Sequence, residues 1–283
     1  MASRKKRNEI FSSESVKDMV PKSNVMKDEF EWEVPVEAVP LPSEGKIYSK
    51  SNPLHSKRLV EIKAMTAREE DILASRALIQ QGTVIKHLIE SCLIEPGVDV
   101  DSMILGDRNA LMVAIRITGY GSAYSAEVTC PECGKRSEQQ FSLADLAINR
   151  LDLDPVTPGA NEFSFTLPIT KKTVNFKFLT GQDDYDMTTE ASRKKKMMPG
   201  MQLESRVTSR LSKHIVSING VTDRNKINMF ANNMPAQDSR RLRKHIGDHE
   251  PGIDMSSWMS CPHCGEDAEV NLPLGASFFW PSD

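Results

Sequence analysis

Aromatic residues are scarce, at 6% of 283 residues, and neither sign of charge dominates: 36 Lys and Arg against 39 Asp and Glu leave a formal charge of −3. A near-neutral chain exerts no global pull on a polyanion or an acidic bilayer, so nucleic acid is not the expected partner. The sequence also lacks the run of about 18 apolar residues that a membrane-spanning helix needs. Its basic opening, Arg4 to Arg7, is not followed by the apolar stretch of a secretion signal. A cytosolic protein with no membrane association is the expectation. A phosphate-cradling loop is absent as well. Gly119-Tyr120-Gly121 begins like one, but Tyr124 stands where the third glycine belongs and a strand pattern follows. His245 and His249 are four apart, yet Gly247 lies between them and no Glu follows the first, which excludes the metalloprotease pattern. Cationic side chains closing a helix account for them. Glu69, Glu70 and Asp71 fall in a first helical turn, where acids oppose the helix dipole. With no catalytic constellation in view, the expectation is that the protein is not an enzyme.

What remains is an ordinary globular mix, 39% apolar and 27% charged, long enough for about two structural units. Residues 1–33 are polar and read as a flexible arm. Residues 34–122 read as an N-terminal helical domain. Pro40 and Pro42 shape an extended approach, and Leu59 to Met65 alternates as a strand. Thr66 and Glu69 form a capping box for a first helix. Thr83 is placed to cap a second, on which Ile85, Leu88, Ile89 and Cys92 share one face, making Cys92 a small core residue. A third helix, Arg108 to Thr118, is apolar around most of its circumference and belongs at the centre.

Beyond Gly121 the period changes from helical to alternating. Tyr124 to Thr129 and Glu138 to Phe141 read as strands around a Cys pair, and Phe163 to Leu167 with Thr173 to Phe178 as another hairpin. Helices resume near Gln182. One places Leu203, Val207, Leu211 and Ile215 at four-residue intervals, another follows a cap at Thr222 or Asp223, and Asp238 to Ile246 is basic. The runs Arg193 to Lys196 and Arg240 to His245 read as solvated faces. They also keep open the alternative of a zinc-ribbon nucleic-acid-binding regulator. Phe278-Phe279-Trp280 closes a core or docks a partner, readings that stand equal.

Four of the five cysteines form two matching turns, Cys130-Pro131-Glu132-Cys133-Gly134 and Cys261-Pro262-His263-Cys264-Gly265. Two residues between thiols let one turn present both sulfurs to a single ion, and four thiolates are the ligand set of a closed structural zinc site. The metal ligands are therefore expected to be Cys130, Cys133, Cys261 and Cys264, with His263 outside the set. A thioredoxin-like redox pair requires a strand-to-helix junction that neither turn has, and disulfides need an oxidising compartment. The 127 residues between the halves far exceed the roughly 15 to 20 of a compact ribbon. The expected fold is α+β: the N-terminal helical section, a bipartite four-cysteine zinc ribbon from residues 123–142 and 257–283, and an α/β insertion at 143–256.

Several segments recur in an order characteristic of one family. They are Leu41-Pro42-Ser43-Glu44-Gly45, Met65-Thr66-Ala67-Arg68-Glu69-Glu70-Asp71-Ile72-Leu73, Gly106-Asp107-Arg108-Asn109-Ala110-Leu111, Arg116-Ile117-Thr118-Gly119-Tyr120-Gly121, Leu179-Thr180-Gly181, the two Cys turns and Phe278-Phe279-Trp280-Pro281. From Leu41 to Pro281 the chain resembles the baseplate hub assembly proteins, or hub assembly chaperones, of T-even-like contractile-tailed bacteriophages. The resemblance implies a non-enzymatic role in building the tail's central hub through contacts with other tail proteins. It places the protein in the host cytoplasm during assembly or in the virion tail baseplate. It transfers no catalytic residue and no oligomeric state, and it does not cover the polar N-terminal arm.

Overall fold

A computed structural model describes residues 9–10, 26–27, 33–197, 206–274 and 276–279. Most of the expected N-terminal arm, the apolar residue Leu203 and Trp280 lie outside the described residues, as do the side chains of Lys194 to Lys196. Within the arm, β1 (Glu9–Ile10), β2 (Met26–Lys27) and β3 (Glu33–Val34) are short strands, and β2 pairs with β3. Every strand pair among the described residues is antiparallel. Together with the helices that follow, this makes the fold α+β.

The N-terminal section opens with β4 (Val36–Pro40) paired along its length with β5 (Leu59–Lys63). Three short helices follow: α1 (Ala67–Ala74), α2 (Arg76–Gln81) and α3 (Val84–Cys92). The Thr66–Glu69 capping box that starts α1 is present. Thr83 does not cap α3. Its N–H closes the end of α2 on Leu78 O (3.0 Å), its ψ of 1° is not extended, and its hydroxyl is buried without a partner. A hydroxyl caps only when an extended backbone aims it at the next turn. The left-handed turn at Gly82 that ends α2 denies Thr83 that conformation.

Helix α4 (Leu105–Tyr120) is the pillar of the molecule. Its residues Ala110 to Arg116 are all buried, as an all-round apolar helix requires. It carries the chain into the hairpin β6 (Ala123–Thr129) and β7 (Arg136–Ser142). The outgoing strand β8 (Ala147–Asn149) then starts the long excursion between the two Cys turns.

That excursion contains β9 (Phe163–Thr166), β10 (Thr173–Phe176), α5 (Gly181–Met197), α6 (Arg206–His214), β11 (Ile215–Ile218), α7 (Arg224–Asn233) and α8 (Ala236–His249). The sheet runs β11-β10-β9, with Phe163, Phe176 and Phe178 buried against one another at ring separations of 4.9 to 6.0 Å. The four-residue apolar spacing misplaces Ile215, which leaves the helix for β11 and pairs with Phe176 of β10. Its burial is common to both readings, and the β-branched pair Ile215-Val216 favours the extended one. Asp223, not Thr222, caps α7, accepting N–H bonds from Asn225 (2.8 Å) and Lys226 (3.2 Å), an arrangement worth about 1 kcal/mol.

The chain returns through β12 (Gly252–Ile253), which pairs with outgoing β8. β1 occupies the other edge of β8. The last hairpin is β13 (Ser256–Ser260) with β14 (Asp267–Asn271), followed by a 3₁₀ turn at Ala276–Phe279. One apolar cluster runs from β4 and α4 through the aromatic sheet to both Cys hairpins. Among the described residues no helix is long and apolar enough to cross a membrane.

Candidate metal centre

The two Cys turns are built alike. In the first, Gly134 N–H bonds Cys130 O (2.9 Å) and Cys130 N–H bonds Lys135 O (2.9 Å). In the second, Gly265 N–H bonds Cys261 O (2.8 Å) and Cys261 N–H bonds Glu266 O (3.0 Å). Gly134 and Gly265 take φ of 70° and 76°, the left-handed conformation in which a side chain is strained. Each turn thereby folds its two thiols to the same side, and the hairpins lay the two turns against each other.

The four sulfurs lie within 4.8 Å of one another. Cys130 Sγ is 3.9 Å from Cys264 Sγ, and Cys133 Sγ is 3.7 Å from Cys261 Sγ. A tetrahedron with metal–sulfur bonds of about 2.3 Å has edges of about 3.8 Å, so the spacing fits four sulfurs around one ion. All four thiols are free of disulfides. Cys130 and Cys261 are buried while Cys133 and Cys264 face solvent. Backbone N–H groups of His263 and Cys264 pull the Cys261 thiol down to about 6. The Glu266 N–H acts the same way on Cys264, but local desolvation and the three neighbouring thiols push it up to about 12. Four thiolates this close repel one another, and a divalent cation removes that repulsion. His263 Nε2 lies 3.3 Å from Arg136 O, bridging one turn to the strand after the other.

Beneath the hairpins, Phe278 and Phe279 are fully buried, with Phe278 edge-on to Tyr124 at 5.1 Å. Arg116, buried in α4, donates to Phe278 O (3.2 Å), Gly121 O (3.0 Å) and Ala123 O (3.2 Å). One guanidinium therefore ties the pillar helix, the first hairpin and the C-terminal turn together. Nothing in the apolar pattern of α4 singled it out.

A second buried network joins two of the recurring segments. Asp107, fully buried, accepts Ser43 N–H (2.9 Å), Ser43 Oγ–H (2.5 Å) and Tyr48 O–H (2.7 Å). Burial raises its carboxyl, and those bonds offset part of the rise. Every partner is internal, so this is a latch between the strand-side turn and α4. His245 stacks on Phe165 at 4.4 Å, and His249 Nδ1 lies 2.7 Å from Asp152 Oδ1, so one ring is packed and the other is paired with a carboxylate.

The family described as T4 bacteriophage base plate protein matches residues 39–280. The chain belongs to that family. No curated protein and no solved structure matches it. The match takes in both Cys turns, α4 and the Asp107 latch, so the base plate protein's metal-compatible cluster and its buried struts lie within the family's span.

Glu69 is the third strut of this base plate protein. It is fully buried and accepts bonds from Thr66 N–H (2.9 Å), Thr66 Oγ–H (2.6 Å), Ser91 Oγ–H (2.6 Å) and Lys63 Nζ (3.1 Å). Burial alone lifts a carboxyl, but the hydroxyls, the amide and Lys63 together bring Glu69 down to about 2. A carboxyl depressed in the folded state stabilises above its unfolded value and loses that contribution as pH falls through the folded one. Stability measured by urea unfolding is therefore expected to drop between about pH 4.5 and 2. Glu69→Gln is expected to flatten that part of the profile by the slope of one proton. An unchanged slope in the variant would contradict the assignment.

Proposed function

We propose that this base plate protein works without catalysis, as an assembly factor or structural component of the tail's baseplate hub, through contacts with other tail proteins, and that its four thiolates hold a structural zinc. The observation that carries the reading is the closed donor set. Four sulfurs complete a tetrahedron and leave no position for a substrate or an activated water, so the ion fastens the fold and does no chemistry. The buried Asp107, Glu69 and Arg116 have their bonding capacity directed to internal partners, which supports a structural part over an enzyme. The hub assignment is supported by the ordered segments that resemble the hub assembly proteins and by membership of the base plate family.

Co-purification of the tagged protein with the other tail proteins of its phage is the test. Retention of a hub component is the expected result, and failure to retain any would remove the hub reading. Mass spectrometry of mature particles separates a resident subunit from a chaperone that departs. Elemental analysis of reductively purified protein is expected to give one zinc per chain, and absence of any metal would end the zinc reading.

A further inference from the structure

Charge is segregated late in the chain. Residues 206–249 hold nine Lys and Arg against three Asp and Glu, whereas residues 250–283 hold six Asp and Glu and no Lys or Arg. The fold turns this segregation into two surfaces. On α8, Leu242 and Ile246 face the core and Arg240, Arg241, Arg243 and Lys244 face solvent. Lys244 pairs with Asp248, but the three arginines make no ion pair among the described residues. Ala236, Gln237, Arg240, Arg241 and Lys244 share one exposed face of α8.

The acidic surface is the outward face of the β13–β14 hairpin. At its centre Trp258 is 70% exposed, directly across the ladder from Glu269. Asp267, held by the Ser260 hydroxyl, and Glu266 extend the same charge toward the Cys turn. A wet indole among carboxylates suits a cationic partner, since a guanidinium stacks on its face while a neighbouring carboxylate pairs with it. Large exposed aromatics of this kind are typical anchors of protein contacts.

We propose that Trp258 and Glu269 of one copy dock onto the Arg240, Arg241 and Lys244 face of α8 of a second copy. A surface of complementary charge is present on the same molecule, and no ion pair among the described residues joins the two faces within one chain. Because the two faces differ, the contact is head-to-tail. Each added copy leaves one basic face and one tryptophan free, so the assembly closes into a ring or grows as a chain. The inference does not depend on the hub reading.

Sedimentation velocity of the full, metal-loaded chain tests it. Concentration-dependent oligomers are expected at low salt and dispersal at high salt, because the contact is between exposed charges. Trp258→Ala with Glu269→Lys removes one face, and Arg240→Glu with Arg241→Glu removes the other; all four residues are exposed, so thermal unfolding should not shift. Each double variant alone is expected to associate roughly thirtyfold more weakly or worse. Mixed in equal amounts they should form a dimer that grows no further, since one intact basic face meets one intact tryptophan. A wild-type chain that is monomeric at every concentration, oligomers that survive either pair of substitutions, or a mixture that stays monomeric would each overturn the proposal. Capture of a tail protein by the monomeric chain through Trp258 would reassign the surface to that partner.

Discussion

Replacing Cys130 with Ser is expected to remove several kcal/mol of folding stability, about 4 or more, from this base plate protein. A structural zinc contributes about 10 to 16 kcal/mol to small thiolate domains, and a whole domain is stable by only about 5 to 15. The β13–β14 hairpin has two strands, too few for independent stability. What anchors it is the thiolate cluster at its tip and the Phe278 and Phe279 core at its base. Urea unfolding of the wild type with and without chelator, beside Cys130→Ser, reads the effect. Chelation should bring the wild type down to the variant and leave the variant where it was. A chelator that fails to move the wild-type midpoint would sink the structural-metal reading. Cys92 is the internal control, being fully buried with its thiol pushed up to about 12 by burial, so it should resist thiol reagents while the fold persists.

The cluster was legible because its information is local: two short turns state their ligands, their spacing and their glycines. Helix α4 was legible for a similar reason, since an apolar residue at almost every position has only one place to go. The strands β4, β8 and β12 were not legible. Their pairings bring together residues far apart in the chain, Asn149 with Gly252 for example, and short segments carry too few alternations to announce a partner. Ile215 shows the limit of periodicity in detail. A helix's last apolar position and a strand's first one are both buried, and the pairing with Phe176 decides between them. Asp107 and Arg116 stood inside recurring segments, yet sequence reasoning assigned them nothing. A buried polar group is recognised by its partners, and Ser43, Tyr48 and Phe278 O come from distant parts of the chain.

Gly106→Ala sets helix propensity against packing, and packing is expected to win. In an exposed helix the change stabilises by about 1 kcal/mol. In the first turn of α4 the added Cβ meets Pro251 O at 1.7 Å, Pro251 C at 2.7 Å and Gly252 Cα at 3.1 Å. These are backbone atoms, so no side chain can swing aside. Neither partner is free to retreat. α4 is pinned there by the Asp107 latch and by Leu105 N–H on Leu179 O (2.8 Å). Pro251 leads directly into β12, which is paired with β8 where the excursion leaves and returns. The variant is expected to lose about 3 kcal/mol or more, with the β8–β12 junction opening first. Gly247→Ala on α8 is the matched control, because its added Cβ meets nothing within 4 Å; it should gain stability of up to about 1 kcal/mol. Equilibrium unfolding of both variants checks the pair, and amide exchange at Ile148 and Ile253 locates the damage. If Gly106→Ala gained stability as Gly247→Ala does, the close approach of α4 to the returning chain would be wrong.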